Sequence, residues 1–305
     1  MVLLFYFQIL GLFSMKCSFD LKQWKFVFSK IISVFFVVTY GVLSLVWISI
    51  YFNYTVTLNG DQYNFITVTD VVRQNFLYLT SVIAVIMFSI RRQKSAEIIN
   101  AIIQIRILSK SINDKSDYFI KAALSRSMQI FVIFALLKMI STGLRYKGTS
   151  DYSLLYQFVF EFYTLISNAT LQQYTFLMLL LFELFKIANE SLLEIEKKFE
   201  NSEALSLLDS SLIVDKMHDI FKLYVNLYEL SKKVSKFFSI VIFFCNVGLF
   251  TTLLIFSYNI VDLMISHNMK ASSTTYIYFV ITEALLIAHL LSVNWAADMI
   301  IDEVS

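Results

Sequence analysis

The sequence predicts an all-α, polytopic transmembrane helix bundle, and three observations support this fold class. Of the 305 residues, 58% are apolar and 16% are charged, whereas soluble domains are about 45–50% apolar and about 25% charged. Six segments are apolar over roughly the 20 residues that a spanning helix needs. The chain contains no proline, so each helix can run without a proline kink. The net charge of +2 gives no indication of nucleic-acid binding.

The predicted spans follow one another along the whole chain as a single membrane domain over residues 1–305. They cover residues 26–51, 72–90, 127–142, 154–185, 237–265 and 274–297. The N-terminal segment, residues 1–25, opens with an apolar run as far as Phe13 that is too short to span. We expect this run to lie as a helix in the membrane interface, and a signal peptide is the alternative.

The distribution of Lys and Arg predicts the orientation of the bundle. Alternate sides of the six spans carry twenty and three basic residues, and the remaining two, Arg73 and Lys138, lie near predicted span ends. Cytoplasmic loops carry the excess of basic residues in membrane proteins. The amino terminus is therefore predicted to be cytoplasmic.

The connection at residues 186–236 is predicted to form long cytosolic anchor helices. Apolar residues recur there at steps of three, four and seven: Ile213, Met217, Ile220, Tyr224, Leu227, Val234 and Phe238. Charged residues occupy the opposite face, so the pattern predicts an amphipathic helix of roughly 27 residues that runs directly into the fifth span. Its apolar stripe needs a partner, in this chain or in another subunit.

Polar residues inside the spans are the candidate binding residues, because they are costly in lipid and usually face the bundle or a cavity. Glu161, Asn168, Gln172 and Glu183 form one stripe on the fourth span. We predict a ligand-binding cavity in the outer half of the bundle, lined by Lys138, Glu161, Asn168, Tyr258 and Glu283. The alternative is that these residues only hold helices together. His289 lies off the stripes and is predicted to be a satisfied packing residue.

Motifs for other chemistry are not found in the sequence. The six glycines form no phosphate loop and the three histidines form no metal motif, so we predict no catalytic residue, metal or cofactor. Cys17 and Cys245 are not expected to form a disulfide. Asn53, in Asn-Tyr-Thr on the predicted outer side, is a candidate glycosylation site.

Three segments resemble insect gustatory receptors of the chemoreceptor superfamily. They are the Leu-Gly-Leu-Phe that ends at Phe13, residues 227–239 leading into the fifth span, and residues 294–305 leaving the sixth. The resemblance covers nearly the whole chain and implies a ligand-gated cation channel of the plasma membrane that detects small-molecule tastants. It also implies a homo- or heterotetramer, with the ligand pocket in the outer half of the bundle and a cytosolic anchor.

Members of that family carry a seventh span with a Thr-Tyr pair and a Gln-Phe, which lines the pore. No such segment follows the sixth predicted span before Ser305, so we expect an incomplete channel subunit. A multi-span small-solute transporter is the alternative, although broken helices with paired Gly or Pro are not seen. A G-protein-coupled receptor would need the opposite orientation.

Overall fold

The protein forms a bundle of long helices. The computed structural model describes residues 15–20, 23–28, 34–35, 38–49, 65–113, 116–148, 154–200, 207–265 and 273–304. These ranges contain strands β1 (Met15–Asp20) and β2 (Gln23–Phe28), and helices α1 (Val38–Ser49), α2 (Phe65–Ile90), α3 (Arg92–Ile112), α4 (Ser116–Gly148), α5 (Leu154–Glu200), α6 (Leu207–Ile265) and α7 (Ser273–Val304). The predicted all-α polytopic bundle is confirmed. The described residues depart from it in one small two-stranded ribbon.

The ribbon is antiparallel and precedes the first helix. Met15 pairs with Phe28, and Asp20 pairs with Gln23. Residues 26–28, which we predicted to open the first span, therefore lie in β2. Apolar and polar residues alternate from Met15 to Asp20, a pattern that favours a strand. The predicted interfacial run up to Phe13 lies outside the described residues.

Helix α3 occupies much of the connection that we predicted as a loop at residues 91–126. Only Arg91 separates α2 from α3, and hydrogen bonding continues across it, since Arg91 N–H donates to Met87 O at 2.9 Å and Ser95 N–H donates to Arg91 O at 3.1 Å. Ile98 and Ile105 are buried one heptad apart. This buried face lets α3 pack along α6. The rest of the predicted loop begins α4.

Helices α5 and α6 are continuous over 47 and 59 residues. The first half of α6 contains the amphipathic stretch, and Ile220, Leu227 and Val234 are completely buried. Met217, which we placed on the stripe, is 46% exposed, whereas Leu230 is buried. The buried face is therefore rotated slightly from the predicted one.

Polar contacts join three helices at one end of the bundle. We call this end the extension: α3 with the last part of α5, the first part of α6 and the end of α7. Tyr224 of α6 donates its hydroxyl to Asn189 Oδ1 at 2.6 Å, and the Asn189 amide donates to Glu303 Oε1 at 2.9 Å. Arg91 donates to the backbone carbonyls of Lys236 and Phe237 at 2.9 and 3.1 Å. These bonds fix α5, α6 and α7 relative to one another.

Four helices of the described part are long and apolar enough to cross a membrane. They are α2, α4, α6 and α7. The described part of α1 is shorter. Helix α5 packs at the centre of the bundle against α2, α4, α6 and α7, and it carries the polar stripe. The total of six spans stays a prediction.

Candidate functional site

A cavity of about 220 Å³ lies between five helices and is partly open to the surface. Its walls are mainly apolar and include Leu77, Phe131, Phe134, Leu249 and Leu286. Polar side chains also reach it from every one of the five: Arg73 from α2, Lys138 from α4, Asn168 and Gln172 from α5, Thr252 from α6 and His289 from α7. An apolar enclosure with a few polar groups is typical of small-molecule sites.

The structure brings three of the five predicted binding residues together. Lys138 and Asn168 line the cavity. Lys138 Nζ lies 2.7 Å from Glu161 Oε2, and the two side chains are only 24% and 19% exposed. This ion pair joins α4 to α5 beside the cavity and holds the Lys138 ammonium in place.

The other two predicted residues are not among the described residues that line the cavity. Glu283 accepts a hydrogen bond from Ser257 at 2.6 Å, which joins α6 to α7. Tyr258 is 46% exposed on the outer surface of α6. The structure thus gives Glu283 an interhelical contact. Asn53, the candidate glycosylation site, lies outside the described residues.

Arg73 is a cavity residue that sequence reasoning missed. It is 5% exposed, and its guanidinium carbon lies 5.0 Å from the centroid of the Phe256 ring. Such a cation–π contact partly compensates a buried cation. The signal for this role was the presence of an Arg in an otherwise apolar helix. We had assigned Arg73 to the end of a predicted span.

A smaller recess of about 20 Å³ adjoins the main cavity, and the two share Phe131, Phe134, Gln172 and His289. Three buried polar atoms around it have no hydrogen-bond partner: Ser127 Oγ, Gln172 Oε1 and His289 Nε2. Buried polar atoms without partners are rare and costly. The recess is mainly apolar, but three of its lining residues hold an unpaired polar atom.

His289 is held firmly at this recess. Its Nδ1 lies 2.9 Å from the backbone oxygen of Leu285, and its ring centroid lies 3.9 Å from that of Phe134. The side chain is packed, as we predicted, but it is not fully satisfied, because Nε2 has no partner. Sequence gave no sign of this, since the neighbours of Nε2 come from α4 and α5.

Among the described residues, no cluster of His, Cys, Asp and Glu could hold a metal ion. The cavity combines an aromatic wall with polar side chains from five helices.

A polytopic helix bundle with a partly polar cavity enclosed among its helices has the features of a membrane receptor. The chain matches the 7tm chemosensory receptor family over residues 2–304. Because this match covers nearly the whole chain, the protein belongs to that family, and the resemblance to the chemoreceptor superfamily is confirmed. A comparison with curated proteins finds no match.

Proposed function

We propose that this chemoreceptor binds a small organic molecule in the cavity between α2, α4, α5, α6 and α7, and that it acts as a subunit of a gustatory-type, ligand-gated cation channel. Membership of the chemosensory family supports the receptor role. The observation that carries the proposal is the cavity of about 220 Å³, which has mainly apolar walls and a few polar side chains.

The size of the cavity suits a ligand with one ring. An apolar cavity of about 150 Å³ in another protein takes up benzene, and drug-sized ligands need about 300–1,000 Å³. The aromatic side chains of Phe131 and Phe134 offer ring contacts. The proposed ligand class is therefore a substituted monocyclic compound or an aliphatic one of similar volume.

The channel proposal also requires assembly, and the extension supports this. Five large apolar residues on α6 are exposed at helical spacing: Val214, Met217, Phe221, Val225 and Tyr228. They recur at steps of three and four along one face. Our orientation places this surface in the cytoplasm, where exposed apolar stripes are normally covered by a partner. This supports a homo- or heterotetramer in the plasma membrane, with the amino terminus inside.

The test is a whole-cell current recording on cells that express the chain, alone and with another family member, during application of a small-molecule panel. We expect a ligand-dependent cation current when the chain is expressed with another family member. The variant Ala135→Phe should abolish it by filling the cavity, because Ala135 lines the wall. Ala284→Phe is the matched control, since Ala284 is exposed on α7.

The two variants separate the candidate functions. Equal currents from Ala135→Phe and the unaltered protein would contradict the cavity proposal, provided that surface labelling shows equal expression. Ligand uptake without a current would instead favour a small-solute transporter.

A further inference from the structure

We infer that the recess beside His289 is a hydroxyl-recognition site, and that the preferred ligand of the cavity is an uncharged phenol or alcohol whose hydroxyl occupies it. This inference rests on the proposed ligand-binding function and specifies the ligand class. The observation behind it is that three of the residues lining a space of about 20 Å³, Ser127, Gln172 and His289, each hold a buried polar atom without a hydrogen-bond partner.

The hydrogen-bonding roles of these atoms follow from chemistry. The Leu285 carbonyl oxygen can only accept, so His289 Nδ1 must donate to it. In a neutral imidazole, Nε2 is then an acceptor. Gln172 Oε1 is also an acceptor, whereas the Ser127 hydroxyl can donate or accept. The recess therefore offers two acceptors and one adaptable group.

The size of the recess limits what can enter. A space of about 10–15 Å³ is enough for one water, measured in the same way, so about 20 Å³ admits a single oxygen. A hydroxyl fits both the volume and the chemistry, because it donates one hydrogen bond and accepts another. A carboxylate would set its oxygens against two acceptors and would leave them unpaired.

Two basic side chains, Arg73 and Lys138, line the main cavity, and Lys138 is paired with Glu161. Phe134 lies against the His289 ring and also lines both spaces. A ring in the main cavity can therefore contact Phe134 while its hydroxyl enters the recess.

The experiment compares two probes of nearly equal shape, 4-methylphenol and 1,4-dimethylbenzene, by calorimetric titration of the full chain in lipid nanodiscs. Titration into empty discs corrects for partition into lipid. We expect the Kd for 4-methylphenol to be at least about tenfold lower, since one or two net hydrogen bonds are gained. The variants His289→Phe and Gln172→Leu should each reduce the preference to about threefold or less.

A matched control is a serine outside the recess. The hydroxyl of Ser239, on an exposed part of α6, donates to the Lys236 backbone oxygen at 3.2 Å. Ser239→Ala should therefore keep the full preference for the phenol. If one of the other variants does not fold, the second still tests the assignment.

The outcomes distinguish this inference from the proposed function. Equal binding of both probes would leave the cavity as a ligand site but would overturn the hydroxyl assignment. A resident water that makes hydrogen bonds to the three polar atoms would also overturn it. A preference that survives in both variants would also overturn it. Binding of neither probe at millimolar concentration would count against the cavity proposal as well as the hydroxyl site.

Discussion

The Lys138–Glu161 ion pair is the contact beside the cavity whose removal should be most costly. Glu161→Gln leaves the Lys138 ammonium largely buried, with the partner 2.7 Å away no longer charged. At that distance the attraction is about 6 kcal/mol for an effective dielectric of about 20. Desolvation offsets part of this, and both groups keep some exposure, so we expect a net loss of about 2–4 kcal/mol in the free energy of unfolding.

The double variant Lys138→Met with Glu161→Met should recover most of that loss, because no uncompensated charge remains. The assay is equilibrium unfolding in mixed detergent micelles with increasing dodecyl sulfate. The longer and more exposed pair Lys216–Glu194, at 3.9 Å with side chains 31% and 52% exposed, is the matched control, and Glu194→Gln should change stability by less than about 1 kcal/mol. A loss below about 1 kcal/mol for Glu161→Gln, or a double variant as unstable as the single one, would refute this reasoning.

Three further predictions concern the extension and the start of α4. Leu227→Ala removes a completely buried side chain and should lower stability by about 2–5 kcal/mol in the same assay. A neutral result would show that the α6 stripe is not a core. Tyr224→Phe deletes a 2.6 Å bond to Asn189 and should cost about 1 kcal/mol, with faster amide exchange at the end of α7. Unchanged exchange there would exclude the proposed link. Hydrogen bonds from Arg106 and Lys110 lower the pKa of Asp117 below its usual value. The charged Asp117 carboxylate therefore stabilises the fold fully above the ordinary Asp pKa of about 4. This stabilisation disappears as the pH falls through the lowered pKa of Asp117. Proteolysis at the start of α4 should be faster in Asp117→Asn than in the unaltered chain at pH 7, and this difference should shrink as the pH falls below the ordinary Asp pKa of about 4. A difference that does not shrink would contradict the assignment.

The sequence predicted the helical bundle well because lipid imposes long apolar segments, and composition alone shows them. The amphipathic start of α6 was also visible, since residues from Ile213 to Phe238 keep one helical period over many turns. Helix α3 was missed because Arg, Lys and Glu residues interrupt its apolar residues, so it lacks the composition of a span. Ile98 and Ile105 nevertheless recur at a spacing that predicts a buried face.

The candidate site was only partly predictable. Polar residues inside apolar helices indicated Lys138, Glu161 and Asn168, because burial of such groups needs a reason. Tyr258 and Glu283 were chosen by the same argument, but the rotation of each helix about its axis decides which side faces the cavity. The recess at His289 depends on three helices meeting, and periodicity along one helix does not contain that information.

The length of α6 has a mechanical consequence. Its 59 residues span about 90 Å at 1.5 Å per residue, roughly three times the hydrocarbon thickness of a bilayer. The chain has no proline that would kink this helix, so a tilt at one end would displace the other end. If a ligand in the cavity tilts α6 by about 5°, a point some 40 Å further along the helix axis is displaced by about 3 Å. A small tilt of α6 at the cavity would thus move the extension by a distance comparable to the size of a side chain.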